Sequence, residues 1–237
     1  MEIQKGKLLY EGRTKKIYPI PDNPDHLIIQ FKDDVLASQD GKNVRIKNGG
    51  TNSAAISMTL FKYLEGYHVR THFIRVLKPN EMLVRKLDIL PVNIIVWNFT
   101  EANLSKRFGV KRGMELPYSI TEYYFVDEKL HRQMITPDHI CAFGYATPEE
   151  MQIIDKTIRK INTVLKSFFE RRGLMLARLN LEFGRYKDRI WVGDALCPDA
   201  YLLWEAESGG TQLKDAFQWD ADDADVAYEA LKNRICK

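Results

Sequence analysis

The sequence predicts an α+β fold, and three observations lead to this prediction. Short apolar runs of β type, separated by turn residues, fill most of residues 7–98. Two stretches, 51–67 and 147–173, place apolar residues at helical spacing instead. Two alternating strands follow the second of these helices. With 237 residues, of which 45% are hydrophobic, the chain can bury a substantial core as one large domain or two small lobes.

The first part of the chain reads mainly as strands. Its β-type runs are "KLLYEG", "KKIYPI", "HLIIQF", "THFIRVL", "EMLVRKL" and "VNIIVWN". One helix interrupts them over residues 51–67, because Ile56, Leu60, Phe61 and Leu64 recur at intervals of three and four. We therefore expect an N-terminal sheet with one packed helix.

The stretch "LYEGRTKKIY" predicts a basic hairpin. Two strand-like runs flank Gly12, and Arg13, Lys15 and Lys16 follow it. Such a hairpin can lay backbone amides and cations over a polyphosphate. The alternative is an ordinary turn whose charges face water. The spacing by itself leaves both interpretations open.

The clearest helix signal begins at Thr147. Threonine is a good N-cap, Pro148 suits the first helical position, and Glu150 can complete a capping box. Apolar residues then recur at intervals of three and four up to Phe168, and Gly173 is the expected stop. We expect this helix to be scaffold.

Two carboxylates follow on a predicted strand pair. In "LMLARLNLEFG" the apolar residues alternate with Arg178, Asn180 and Glu182, and after a turn at "RYKD" the strand "RIWVGDA" ends at Asp194. Pairing of the strands would bring Glu182 near Asp194, where the two could hold Mg²⁺ against nucleotide phosphates. The alternative is that Glu182 pairs with a nearby arginine and Asp194 caps a turn.

Composition narrows the classes of partner. The net charge of +3 comes from 35 basic and 32 acidic residues, which is too balanced to suggest nucleic acid as the main partner. The three cysteines, Cys141, Cys197 and Cys236, lack the spacing of a zinc site or a disulfide framework. No apolar run approaches the ~20 residues that span a bilayer. We expect a protein of the cytoplasm that binds neither nucleic acid nor membrane.

Several longer motifs, taken together, resemble the SAICAR synthetase family. They are "LYEGRTKKIY", "FKDD", "THFIR", "LSKRFGVKRGMELPYSITEYYF", "HICAFGYATPEE", "LEFG" and "GDALCPDAYLLWE", and they occur in the family's order from end to end. The resemblance implies a two-lobed α+β fold related to ATP-grasp and kinase-like architectures. It implies a β-rich nucleotide-binding lobe over residues 1–83, and an α+β lobe over 84–237 that completes the ATP and acceptor sites.

The resemblance also implies an activity. Members of the family use ATP to activate a carboxylate by phosphorylation, and an amine such as that of aspartate then displaces the phosphate. The implied cofactors are ATP and Mg²⁺, and the implied partners are small-molecule carboxylate and amine substrates. A homodimer or larger homo-oligomer is also typical of the family.

Most of the nucleotide-side residues match the family pattern. Gly12, Arg13, Lys15 and Lys16 match the hairpin over the ATP phosphates, with Arg13 in place of the usual lysine. The two acidic positions at ATP and magnesium, Glu182 and Asp194, also match. Outside the nucleotide side, Asp199 matches the aspartate of the family's "SPD" motif and Lys214 matches its "DKD" lysine, and the resemblance makes both candidate catalytic residues. One residue departs from the pattern on the nucleotide side, because Val126 stands where the family usually has a lysine.

The acceptor-side residues depart much further. Trp97 and Leu202 stand where the family has arginines, and Asn103 and Cys197 where it has serines. An aspartate and a lysine are replaced by Arg178 and Asn180. A charge-assisted hydrogen bond contributes roughly 1.5 to 3 kcal/mol, so two lost arginines cost roughly 3 to 6 kcal/mol, or about two to four decades in affinity.

These changes lead to one main hypothesis and two alternatives. The main hypothesis is an ATP-dependent amide ligase with an altered acceptor, in which Trp97, Tyr201 and Leu202 line a more apolar pocket. For these three residues, ordinary core packing is the competing interpretation. The first alternative is an authentic SAICAR synthetase with an unusual site, in which Arg178 and Lys214 hold the ribotide phosphate. The second is a catalytically inactive paralogue that binds nucleotide.

Overall fold

Two antiparallel sheets and a shared apolar core organise the chain. The computed structural model describes residues 3–36, 43–127, 132–206, 213–215 and 224–237. Strands of the first half are β1 Tyr10–Glu11, β2 Lys15–Ile20, β3 Asn23–Phe31, β4 Asp34–Leu36, β5 Asn43–Arg45, β6 Phe73–Lys78 and β7 Glu81–Arg85. Five of them form the first sheet, in the order β1-β2-β3-β7-β6, and β4 pairs with β5.

The second sheet has seven strands in the described part of the chain. They are β8 Asp88–Phe99, β9 Glu115–Phe125, β10 Gln133–Ile135, β11 Met175–Tyr186, β12 Arg189–Val192, β13 Tyr201–Ala206 and β14 Leu213–Asp215. The order is β10-β9-β8-β11-β13-β14, and β12 pairs with β11. The predicted α+β class is confirmed.

The helices pack between and around the sheets. They are α1 Gly49–Gly66, α2 Ala102–Phe108, α3 Pro137–Ala142, α4 Pro148–Glu170 and α5 Ala224–Ile235. Helix α1 agrees with the predicted helix to within two residues at each end. None of the helices in the described part of the chain combines the length and apolar character that crossing a bilayer requires.

Helix α4 forms as its sequence predicts. The Thr147 side chain accepts from the backbone N–H of Glu150, the Glu150 carboxylate accepts from the N–H of Thr147, and Pro148 occupies the first turn. Gly173 has a φ of 67°, a left-handed conformation that glycine adopts without steric cost, and it lies just after the helix. Strand β11 follows directly, with its apolar residues buried.

The core spans both sheets. Buried residues of α1, of α4 and of the inward faces of β8 and β11 belong to one continuous cluster, which also includes Ile29 and Phe31 of β3. The first sheet ends at Arg85 and the second begins at Asp88. The assignment of residues 1–83 to a nucleotide-binding lobe and of 84–237 to the second lobe stays a prediction.

Candidate active site

A cavity of about 390 Å³ opens beside the β1–β2 hairpin, at the ends of β11 and β12. This volume lies in the range of small-molecule sites, about 300 to 1,000 Å³. Six of its lining residues are charged, and the polar and charged lining residues are Arg13, Asn93, Asp127, Arg132, Asn180, Glu182, Asp194 and Asp199. Because carboxylates and guanidinium groups meet there, the cavity suits a metal-bound anion.

The "LYEGRTKKIY" stretch forms the predicted hairpin. The N–H of Gly12 donates to the carbonyl of Lys15 at 2.9 Å, and Glu11 pairs with Lys16 across the strands. Side chains alternate along β2, and consequently its two lysines diverge. Lys15 donates to the Asp194 carboxylate, whereas Lys16 lies 3.3 Å from Glu11, away from the cavity. Phosphate binding by these residues stays a prediction.

Strands β11 and β12 bring the two predicted metal ligands together. Lys187 and Asp188 both have positive φ, which is typical of the tight two-residue turns that join antiparallel strands. The N–H of Gly193 then donates to the carbonyl of Glu182 at 2.9 Å. Asp194 follows with a φ of 56°, a left-handed conformation that aspartate tolerates better than most residues. Glu182 and Asp194 therefore line one cavity.

The charges of Glu182, Asp194 and Lys15 influence one another. Burial and, to a smaller extent, the negative charge of Asp194 raise the pKa of Glu182 to about 7. Burial alone would lower the pKa of Lys15, but Asp194 and other nearby acidic groups raise it overall. The lysine ammonium thus supplies the positive charge beside Asp194.

The carboxylate pair fits Mg²⁺. Among the described residues, no three histidine, cysteine or acidic side chains converge to hold a metal by themselves. Mg²⁺ bound with a nucleotide uses one or two carboxylates and completes its shell with phosphate and water. Two adjacent carboxylates, whose mutual repulsion raises the pKa of Glu182, are the donor set for such an ion.

Asp199 also lies in the cavity, and neighbouring residues fix its position. It belongs to a 3₁₀ turn, Pro198–Ala200. Its carboxylate accepts from the Cys197 thiol at 2.7 Å and from the Thr14 hydroxyl at 3.3 Å. Thr14 belongs to the β1–β2 hairpin, so the hairpin and the turn after β12 are joined at the cavity. The predicted catalytic role of Asp199 is not tested by this geometry.

His72 lies behind Asp194 and is 4% exposed. Its Nε2 atom is buried and has no hydrogen-bond partner in the described part of the chain. The pKa of His72 is lowered to about 4, mainly by burial and also by the positive charges of Lys15 and Arg85, while Asp194 and a hydrogen bond with its backbone act in the opposite direction. The imidazole is therefore neutral in the folded protein at neutral pH.

This burial predicts acid sensitivity. Between about pH 6.5 and pH 4, the unfolded chain binds a proton at His72 and the folded protein does not. The free energy of unfolding should thus fall by about 3 kcal/mol between these pH values. Urea denaturation at several pH values should show a smaller fall in His72→Gln. Substitution of exposed His68 by Asn is the control, and an unchanged pH slope in His72→Gln contradicts the prediction.

Four predicted acceptor residues lie away from the cavity. Trp97 is 2% exposed and packs with Ile95 and with Leu104 of α2. The Trp97 indole N–H donates to the Glu122 carboxylate at 2.8 Å. Tyr201 is also 2% exposed and packs on Phe169 of α4, with ring centroids 5.3 Å apart.

Leu202 and Asn103 are the other two of these four residues. Leu202 packs beside Phe99 and Trp204, and Asn103 is exposed near the start of α2. The expectation that Trp97, Tyr201 and Leu202 line an apolar pocket therefore conflicts with the observed packing, because α2 and α4 already cover the two aromatic side chains. Substrate contact by these four residues stays a prediction without geometric support.

Strand β11 carries two acceptor candidates, of which Asn180 lines the cavity and Arg178 does not. The buried Oδ1 atom of Asn180 has no hydrogen-bond partner within the described ranges. Arg178 lies two residues earlier on the same face, directly between Trp97 of β8 and Leu202 of β13. A single cation thus lies between the two positions where arginines were expected.

Lys214, the other candidate catalytic residue, lies at the sheet edge. Its backbone pairs with Glu205 through β14. Its side chain lies outside the described part of the chain, so its catalytic role stays a prediction.

The structure adds two cavity residues that the sequence did not indicate. Asn93 of β8 lies directly across from Glu182 of β11, and its side chain hydrogen-bonds to the Glu182 carboxyl. Arg132, just before β10, donates to the Asn93 side chain and lies over the Tyr124 ring, 4.6 Å from its centroid. No spacing rule links residues 93, 132 and 182, since only the order of the strands brings them together.

Comparison with known proteins agrees with this architecture. A family model described as SAICAR synthetase matches residues 8–235. The phosphoribosylaminoimidazole-succinocarboxamide synthase of Chloroherpeton thalassium is 36% identical over 233 residues, which cover 98% of this chain and 99% of that protein. A solved SAICAR synthetase in complex with ADP is 34% identical, with a TM-score of 0.85, covering 95% of this chain and 96% of its own. The SAICAR synthetase of Pyrococcus horikoshii OT3 is 35% identical, with a TM-score of 0.82, covering 93% and 96%.

Proposed function

Because the chain belongs to the SAICAR synthetase family and is an ATP-dependent carboxylate–amine ligase, we propose that it joins carboxyaminoimidazole ribotide (CAIR) to L-aspartate. The products are SAICAR, ADP and phosphate. This is the purine-pathway reaction for which its relatives are named. It replaces an altered acceptor as the leading hypothesis, since end-to-end similarity to relatives of that name favours the family reaction.

One observation carries this proposal. Glu182 and Asp194, which the sequence separates by a strand and a turn, line a single cavity together with Arg13 of the hairpin. Lys15 of the same hairpin donates to Asp194. Phosphoryl transfer depends mainly on positioning and charge stabilisation, and these groups supply a carboxylate pair and cations around one small volume.

The first step activates the acid. An oxygen of the acceptor carboxylate attacks the terminal phosphorus of ATP, the new O–P bond forms, and the bond from phosphorus to the bridging oxygen breaks to release ADP. Mg²⁺ held by Glu182 and Asp194 would neutralise the phosphate charge. Arg13 and Lys15 provide further positive charge from the hairpin side.

The second step forms the amide. The amine nitrogen of aspartate attacks the acyl carbon, the C–O bond to the phosphate breaks, and the nitrogen loses a proton. We assign Asp199 to hold the attacking amine, because its carboxylate lies in the cavity and is oriented by Cys197 and Thr14. Lys214 is assigned to the same step on family resemblance alone.

Arg178 can supply the positive charge that the family's two arginines supply and that this chain lacks at Trp97 and Leu202. It pairs across the sheet with Trp97 on one side and Leu202 on the other, and residues directly opposite in antiparallel strands share a face. Its guanidinium carbon lies 5.8 Å from the centroid of the Trp97 ring. We therefore assign the ribotide phosphate to Arg178.

An altered acceptor remains the second candidate. It is favoured by the neutral side chains of Trp97 and Leu202 and by Asn180 in place of a lysine, which together remove positive charge from the acceptor side. An inactive nucleotide-binding paralogue is the third. The three candidates differ in which acid, if any, they convert, so an assay of ADP release separates them.

The test is ADP release by the purified enzyme with Mg²⁺, ATP, CAIR and aspartate. Robust turnover is the expected result. ADP release with another carboxylic acid, but not with CAIR, would support the altered acceptor. Nucleotide binding measured by calorimetry, without turnover of any acid in a screen, would support the inactive paralogue.

A substitution tests the assignment of Arg178. We expect Arg178→Gln to raise the KM for CAIR by about 10- to 100-fold, the value of one charge-assisted contact, with little change in the KM for ATP. Arg178→Lys should recover part of the loss. The control is Arg189→Gln, which removes an exposed cation from β12. Equal KM values for CAIR in Arg178→Gln and in the control exclude Arg178 as the phosphate ligand.

A further inference from the structure

We propose that Arg132 binds the terminal phosphoryl group of ATP while it is transferred, as this chain's replacement for a missing positive charge at position 126. This inference rests on the proposed function for its nucleotide. It does not depend on the identity of the acceptor acid, because it concerns only the phosphate end of ATP.

Arg132 contacts a row of three residues that crosses the second sheet. Tyr124 of β9, Asn93 of β8 and Glu182 of β11 lie directly opposite one another in register. Neighbouring strands are about 4.8 Å apart. Arg132 lies over the ring of Tyr124 and donates from Nη2 to the Asn93 oxygen. Its guanidinium therefore points along the row toward Glu182.

Electrostatics connects Arg132 with the carboxylate pair. Asn93 hydrogen-bonds to the Glu182 carboxyl, and the positive charge of Arg132 opposes the upward shift in the pKa of Glu182 that burial causes. A guanidinium carries five N–H groups in a rigid fork. Asn93 accepts from one of them and orients the planar group. Two N–H groups of this fork can donate at the same time to two oxygens of a phosphoryl group.

The second observation is the neighbouring Val126. Val126 and Arg132 line the same cavity, together with Phe125 and Asp127 from the end of β9. Position 126 thus contributes no charge to the cavity, whereas Arg132 brings one to the same wall. Arg13 belongs to the hairpin of the first sheet, so the two arginines approach the cavity from different sheets.

This placement selects the terminal phosphoryl group over the rest of the nucleotide. Glu182 and Asp194 would hold the Mg²⁺ that accompanies the phosphates of ATP, and the ion would neutralise their charge. The acceptor candidates Asn180 and Arg178 share a strand face with Glu182. A cation beside Glu182 on the second sheet therefore faces the phosphate that lies between metal and acceptor.

Calorimetry without any acceptor tests this inference. The dissociation constants of Mg²⁺–AMP-PNP and Mg²⁺–ADP are measured for the wild type, Arg132→Gln and Arg132→Lys. We expect Arg132→Gln to weaken AMP-PNP binding by about 10- to 100-fold and to leave ADP binding unchanged. Arg132→Lys should lie between, because lysine keeps the charge without the fork.

The control is Arg112→Gln, which removes an exposed cation from the segment between α2 and β9. If Arg132→Gln weakens neither nucleotide, or weakens both to the same extent, the inference is wrong. Thermal melting checks that the variants are folded, which is expected because Arg132 is exposed. A wild-type protein that binds AMP-PNP but does not use CAIR contradicts the proposed acceptor and leaves the assignment of Arg132 intact.

Discussion

Substituting either of the two carboxylates proposed to bind Mg²⁺, Glu182 or Asp194, is expected to abolish Mg²⁺-dependent ATP binding, yet only the Asp194 substitution should lower stability. Asp194→Asn removes the partner of Lys15, whose side chain is only 16% exposed. We expect a loss of about 2 kcal/mol, below the usual cost of breaking a fully buried pair, because Asp194 is 35% exposed. Asparagine tolerates the positive φ, so the backbone should be preserved.

Glu182→Gln is the matched variant. It removes a carboxylate whose ionised form is disfavoured by burial and by Asp194, and consequently the free energy of unfolding should stay constant or rise slightly. Turnover should fall by about 10³-fold in both variants, since a bound metal contributes several kcal/mol to the transition state. Urea denaturation and calorimetry measure the two effects. Retained Mg²⁺-dependent binding in either variant contradicts the metal assignment.

Truncating Trp97 is expected to have the largest effect on stability. Trp97→Ala should cost about 3 to 5 kcal/mol, because it leaves a cavity beneath α2. Trp97→Phe should cost about 1 to 2 kcal/mol, since it removes one hydrogen bond to Glu122, whose carboxylate keeps those from Arg107 and Tyr124. Denaturant unfolding measures both losses.

The same variants decide between packing and substrate contact. Trp97→Phe should leave the KM for CAIR unchanged, because the indole does not line the cavity. Trp191→Phe is the control, since Trp191 of β12 also donates its indole N–H, to the Tyr186 carbonyl at 3.2 Å. A rise of about tenfold or more in the KM for CAIR, without a loss of stability, would show that Trp97 contacts the acceptor.

The sequence was most informative where local chemistry determines the structure. The start of α4 depends on Thr147 and Glu150, three residues apart, and both hydrogen bonds of the predicted capping box form. The alternation in β11 predicted which residues are buried, and Gly173 predicted where α4 ends. Each of these features depends on backbone geometry over a few residues, which the order of residue types already contains.

The approach of Glu182 to Asp194 was also predictable. It required only that a short turn join two alternating strands, and the turn at Lys187 and Asp188 does so. The divergence of Lys15 from Lys16 follows from the same alternation, but which lysine faces the cavity depends on the position of the hairpin relative to the second sheet. That position is a property of the packed chain.

By itself, then, the sequence determined the class of fold, the bounds of α4, the hairpin over the cavity and the pair of carboxylates on β11 and β12. Only the tertiary structure decided that Trp97 and Tyr201 belong to the core, that Asn93 and Arg132 line the cavity with Glu182, and that Arg178 lies between Trp97 and Leu202. The physical reason is distance along the chain. Lys15 and Asp194 are 179 residues apart, and the row that carries Arg132 toward Glu182 crosses three strands. Local periodicity gives the face of a strand on which a side chain lies, whereas its neighbours depend on the order and register in which the strands pair and on the helix that covers them.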